Sequence, residues 1–176
     1  MFEHPLPLTI KPLKLARQEG KLTGHMPLAR LQNLAADCVS AEGLVEADLQ
    51  LYTEQGWPAL RGSASARVQL VCQRCLEPVT VALAVDITLG FVQGESQLQS
   101  LPESLEPFVL EAEEIPLAEL LEQELILALP IVAYHDHCEP IPYQEQEPGD
   151  SGAQEEKPNP FAVLEQLKGK VDKSDN

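Results

Sequence analysis

The sequence predicts an α+β fold: an antiparallel β-sheet meander of about five strands, two or three helices, and a flexible acidic C-terminal tail. Three observations predict it. Apolar and polar residues alternate through 44–52, 64–70 and 79–91, the period of half-buried strands. Apolar residues recur at helical spacing near 27–36 and 116–129. After Glu139 the chain turns to Pro, Asp, Glu and Gln, with too little apolar surface to offset the entropy of ordering. The predicted organisation is one domain over residues 1–138, an acidic Pro-rich linker over 139–159, and a short amphipathic segment over 160–176.

Each element has its own local reason. Residues 6–10 read as a short edge strand, where Pro7 lacks an N–H that an edge does not need. A brief helix opens at Pro12, a strand follows near Lys21–His25, and Pro27 stands at the first position of a helix reaching Ala36. In 44–52, Val45, Ala47, Leu49 and Leu51 form one face. Glu54-Gln55-Gly56-Trp57-Pro58 makes a turn. Ala64, Ala66, Val68 and Leu70 line the next strand, and Val79, Val81, Leu83, Val85, Ile87 and Leu89 the third. Short connections make these three antiparallel, so Cys72–Pro78 is a hairpin tip. Residues 92–106 read as a loop, with a further strand at Phe108–Leu110. Pro116 then opens a helix to Leu129, with Leu117, Leu120, Leu121, Leu125 and Ala128 inward and Glu122 and Glu124 facing water. In the tail, Phe161, Leu164 and Leu167 would share one side of a short helix capped by Asn159. Such a helix needs something to pack against.

Charge narrows the function. Residues 1–90 carry 8 basic and 9 acidic side chains, whereas 91–176 carry 4 and 19. From Cys75 to Glu156 there is no Lys or Arg, against 18 Asp and Glu. A phosphate backbone is gripped by Lys and Arg that displace counterions, so the C-terminal half is unsuited to nucleic acid. It suits a basic partner or simple solubility. The N-terminus lacks a basic segment followed by an apolar run, and no apolar run approaches the ~20 residues of a membrane helix. A soluble cytoplasmic protein is expected, with no membrane association. Its four cysteines are then thiols or metal ligands rather than a disulfide framework.

Two clusters stand out: Cys72-Gln73-Arg74-Cys75 and His135-Asp136-His137-Cys138. Cys72, Cys75, His135 and Cys138 supply the ligand types of one tetrahedral zinc site. A turn is the right place for the first pair, because residues three apart on a straight strand point to opposite faces. A zinc knuckle commonly has Gly after its second Cys, where this chain has Leu76. The alternative is that these are small buried thiols. A redox role would need a thiolate lowered at a helix N-terminus, and only Arg74 lies near. No phosphate-cradling loop or nucleophile elbow is present, and no carboxylate pair stands out. The chain is not expected to be an enzyme.

These residues also carry a resemblance. Val71-Cys-Gln-Arg-Cys-Leu-Glu-Pro78, Glu124-Leu-Ile-Leu-Ala-Leu-Pro130, His135-Asp-His-Cys138 and Lys157-Pro-Asn-Pro-Phe-Ala-Val-Leu164 resemble the bacterial YceD family of large ribosomal RNA subunit accumulation proteins. The resemblance implies a non-enzymatic role in synthesis, processing or stability of the large-subunit (23S) rRNA. It implies as partner a ribosomal protein or a large-subunit assembly intermediate. RNA association is then direct or indirect. Direct contact would use Lys11, Lys14, Arg17, Lys21, Arg30, Arg61, Arg67 and Arg74, and an indirect route would use basic partners meeting the 92–156 region. The alternative is an enzyme, a thiol–disulfide catalyst or an RNA-processing activity.

Overall fold

The computed structural model describes residues 4–141. The linker over 139–159 lies mostly outside these residues, and the Phe161–Leu167 segment lies wholly outside them. The elements in order are β1 (Thr9–Ile10), α1 (Pro12–Arg17), β2 (Lys21–Pro27), a 3-10 turn (Leu28–Arg30) and α2 (Gln32–Ala36). Then come β3 (Leu44–Glu54), β4 (Trp57–Val71), β5 (Pro78–Val92), a 3-10 segment (Glu95–Ser100), β6 (Glu106–Val109), β7 (Ile115–Pro116) and α3 (Leu117–Leu127).

Strands β2-β3-β4-β5-β6 form one five-stranded sheet, while β1 and β7 pair separately. The meander from β2 to β5 is antiparallel as expected. The sheet as a whole is mixed, because β6 runs parallel to β5. Its connection explains this: the chain crosses back through 93–105 instead of turning tightly, and so re-enters in the same direction. β4 and β5 are 15 residues each, so the second strand begins well before Ala64. Only Gln55 and Gly56 form the turn before it, both with positive φ (49° and 88°), which matches a tight hairpin to the twist of its strands.

One face of the sheet is covered by α1 and α3, and α2 packs on α3. Val45, Ala47, Leu49 and Leu51 of β3 meet Leu60, Ala64, Ala66 and Val68 of β4 and Leu83 and Ile87 of β5 in this core. Leu120, Leu121 and Leu125 close it from α3, each stabilising by about 1.5–3 kcal/mol. Gly62 allows β3 and β4 to approach, since a Cβ there would lie 2.1 Å from the Asp48 carbonyl. The opposite face is open, with Arg61, Ser63, Arg67, Thr80, Ala82, Ala84 and Asp86 exposed.

Two local expectations are corrected. The helix expected over 27–36 is split: Pro27 ends β2, and Leu31 (φ −92°, ψ 83°) interrupts the chain before α2. Glu122 does not face water. Its carboxylate is buried and accepts from the Asn33 and Leu34 N–H groups (2.6 and 3.1 Å) and from Asn33 Nδ2 (2.8 Å). It thus caps α2, whose own sequence supplies no capping side chain. The split helix and the buried carboxylate are one arrangement.

Candidate metal centre

The β4–β5 hairpin ends in a six-residue tip, Cys72–Glu77. Two backbone bonds define it: Leu76 N–H to the Cys72 carbonyl and Cys72 N–H to the Glu77 carbonyl, both 2.9 Å. Closing the loop this way puts Leu76 in the left-handed region, φ 61°. This is the position expected to hold glycine, and the chain adopts the conformation with a leucine, at a cost of about 1–2 kcal/mol. The side chain of Leu76 is 62 % exposed, so no core contact repays that strain.

The irregular segment after α3 lies against this tip. Gln73 N–H donates to the Ala133 carbonyl (2.8 Å) and Ile141 N–H to the Arg74 carbonyl (3.3 Å). These bonds bring the two sequence clusters together. Cys72, Cys75, His135 and Cys138 each aim one ligand atom inward, and all four atoms lie within 4.8 Å of one another. The Cys72 and Cys138 sulfurs are 3.7 Å apart, and Cys75 Sγ is 3.4 Å from His135 Nδ1. With metal bonds of about 2.3 Å to sulfur and 2.0–2.1 Å to nitrogen, a tetrahedral zinc centre would have edges of about 3.8 and 3.5 Å. The two measured edges match these values, and the four residues together could hold a metal ion. His137 and Cys38 stand outside the group; Cys38 instead donates to the Leu34 carbonyl (3.1 Å).

The surroundings orient the ligands. His135 Nε2 is 3.1 Å from the Pro78 carbonyl. A carbonyl only accepts, so Nε2 donates this bond, which fixes the ring with Nδ1 turned to the cluster. Arg74 Nε donates to Cys138 Sγ (2.9 Å), and its Nη2 donates to the His135 carbonyl (2.6 Å). The guanidinium also stands 5.9 Å from the Tyr134 ring centroid. Burial pushes the Cys72 thiol up, but the backbone N–H groups of Cys75, Arg74 and His135 outweigh it and bring the pKa to about 5. At Cys75 the Glu77 N–H lowers the pKa, while desolvation and the neighbouring Cys72 and Cys138 sulfurs outweigh it and raise the value.

Sequence reasoning placed Arg74 near the cysteines but missed its bonds to Cys138 and the His135 carbonyl, and it missed the Pro78 carbonyl. Arg74 is detectable in principle, as the last basic residue before the 82-residue stretch that has none. The Pro78 carbonyl is not, because backbone acceptors leave no mark on side-chain sequence. A cleft of about 640 Å³ between Leu8, Met26, Asn33 and Pro116 lies elsewhere. Its buried carboxylate, Glu122, is already used in capping α2. Of the basic residues available for RNA, Lys11 pairs with Glu113 and Glu114 (3.6 and 3.7 Å) and Lys21 with Asp48 (3.2 Å). Arg61 donates to Gln50 and stands over Tyr52.

Comparison with known proteins fits these features. Residues 60–168 match the family described as "Large ribosomal RNA subunit accumulation protein YceD". A curated protein of that name from Haemophilus influenzae is 38 % identical over 170 residues, covering 94 % of this chain and 97 % of the relative. No solved structure matches the chain. Among the described residues, no helix is long and apolar enough to cross a membrane. The matched region takes in the β4–β5 hairpin from Leu60 onward, its cysteine tip and the His135–Cys138 segment, and the chain belongs to the YceD family.

Proposed function

We propose that this chain is a non-enzymatic assembly factor supporting accumulation of large-subunit (23S) rRNA, acting in the cytoplasm through protein contacts with basic ribosomal partners. In this reading residues 1–138 are the working domain, and Cys72, Cys75, His135 and Cys138 hold one structural zinc ion. The observation that carries the reading is the closed four-ligand geometry at the hairpin tip. Around one zinc ion, three sulfurs and one imidazole would fill all four tetrahedral positions and leave none for substrate, which is the pattern of structural rather than catalytic zinc. Bound zinc would supply no reaction, only a clip between the hairpin and the segment after α3. Three thiolates and Zn²⁺ leave one negative charge, which the Arg74 guanidinium offsets.

Charge supports the indirect route. Half of the eight basic side chains of the N-terminal half are committed to internal partners, and the following 82 residues offer none. The family description names rRNA accumulation and no reaction. The test is a clean deletion, measured in rapid growth and in the cold. Large-subunit rRNA should fall relative to small-subunit rRNA and recover with the wild-type chain. An unchanged ratio in both conditions would remove the reading.

A further inference from the structure

Along most of its length β5 has a strand on one side only. Its pairing with β4 extends from Pro78 to Gly90, whereas β6 pairs with Leu89–Val92 alone. Residues Val79–Thr88 therefore form an open edge of the main sheet. Among the described residues, no backbone hydrogen bond outside the β4 ladder reaches them, and the nearest side-chain bond is that of His135 to the Pro78 carbonyl. In antiparallel pairing alternate residues turn both N–H and C=O away from the partner strand, so about five of these ten offer unpaired groups.

Natural sheets blunt such an edge with Lys, Pro, a bulge or a covering element. Val79-Thr-Val-Ala-Leu-Ala-Val-Asp-Ile-Thr88 contains no Lys, Pro or Gly and keeps regular register with β4 throughout. Its inward face is also incompletely covered. Val79, Leu83 and Ile87 are buried, but Val81 and Val85 on the same face are only half-buried. Strand addition is the recognition mode such an edge serves: main-chain bonds give affinity, and alternate side chains give selectivity.

Charge decides the occupant. Asp86 and Glu77 are exposed along this strand and its tip, and no Lys or Arg follows Arg74 before residue 157. Pairing two copies through β5 would bring together two chains of net charge −16 with nothing basic on the strand to offset them. The geometry points to an extended segment of a basic protein as the added strand, with its apolar residues over Val81 and Val85 and Lys or Arg towards Asp86 and Glu77. This deepens the proposed function, because it rests on a basic large-subunit partner and assigns where that partner binds.

The test uses the full chain and individually purified basic proteins of the large ribosomal subunit, binding measured one protein at a time. Thr80 and Ala84 are exposed, so Thr80→Lys/Ala84→Lys blunts the edge without entering the core, and unchanged thermal unfolding checks this. Gln18→Lys/Gln32→Lys places the same two charges outside the sheet. In the bound complex, alternate amides of 79–88 should gain protection from hydrogen exchange. The edge variant should bind at least about tenfold more weakly, the worth of one or two net hydrogen bonds, while the control variant binds like wild type. Binding that is equal in all three chains, without new protection, overturns the edge assignment and leaves the proposed function standing. Absence of binding by any basic protein overturns both. Protection of 79–88 in the chain alone, as a monomer or as a dimer, shows that the edge is already covered and overturns the inference. Tight binding of RNA at this edge overturns it as well.

Discussion

The two turns that bound β4 solve the same problem by opposite means. At Gln55-Gly56 a two-residue turn carries glycine at its most positive φ, 88°. Nothing approaches within 4 Å of where a Gly56 Cβ would stand. Its flank is tied locally by Tyr52 Oη, which donates to Glu54 (2.7 Å), and one distant side chain, Ser104, adds a bond to the same carboxylate (2.8 Å) without touching the turn's backbone. At Cys72–Glu77 the left-handed position holds Leu76, and the tip is fixed by Ala133, His135, Cys138 and Ile141, about sixty or more residues away in sequence. The first turn is specified by its own residues. The second is specified by what closes around it, which is why its conformation can tolerate the wrong residue for its backbone.

That contrast predicts where each turn is vulnerable. The largest effect should come from Cys75→Ser. Cys75 is only half-buried, so the change removes the proposed ligand and little packing. Loss of a clip across a loop of about sixty residues should destabilise by about 2–5 kcal/mol, read in urea unfolding. A chelator should bring the wild type down to the same midpoint, and if it leaves the wild type unmoved the second turn is not metal-held. Next comes Gly56→Ala, which should cost about 1–2 kcal/mol through its positive φ although no neighbour is touched. Leu76→Gly should have the opposite sign, stabilising by up to about 1 kcal/mol, since it relieves strain at an exposed position. If both substitutions destabilise alike, the turns do not differ as described.

The smallest effect is a matter of pH. The Tyr52 hydroxyl, then Ser104, hold the Glu54 carboxyl below its ordinary range. A carboxylate whose folded pKa is lowered adds stability above its unfolded pKa and loses it as pH falls through the folded value. Tyr52→Phe should therefore lower the melting temperature slightly at pH 7, and the difference should shrink as pH falls below the usual carboxylate range. A difference that persists in strong acid would assign the effect to packing.

The same contrast explains what was legible in the sequence. Alternation in 44–52, 64–70 and 79–91 was sufficient for the meander, because strand period and turn chemistry are local signals. The four candidate ligands were visible from residue type and spacing. Their grouping into one site was expected from that spacing, but what brings them together was not legible, since it depends on α3 delivering Ala133 and His135 to the hairpin tip. Reading Glu122 as solvent-facing failed for a related reason: periodicity places a side chain on a face but does not reveal that α2 lacks a cap of its own. The parallel pairing of β6 was hidden by its crossover, because strand direction depends on a path that 93–105 does not encode as a pattern. Leu76 was the most misleading residue. Its identity argues against a knuckle, while its backbone adopts the left-handed conformation that a glycine there would take.

The central claim is that one zinc ion, held by Cys72, Cys75, His135 and Cys138, sets the second turn. X-ray absorption at the zinc edge, on full-length protein purified without chelator, tests it most directly. The account predicts one zinc per chain with three sulfurs near ~2.3 Å and one nitrogen near ~2.0 Å, and loss of that shell in Cys75→Ser. Protein free of zinc, or zinc bound through oxygen and nitrogen alone, would contradict it.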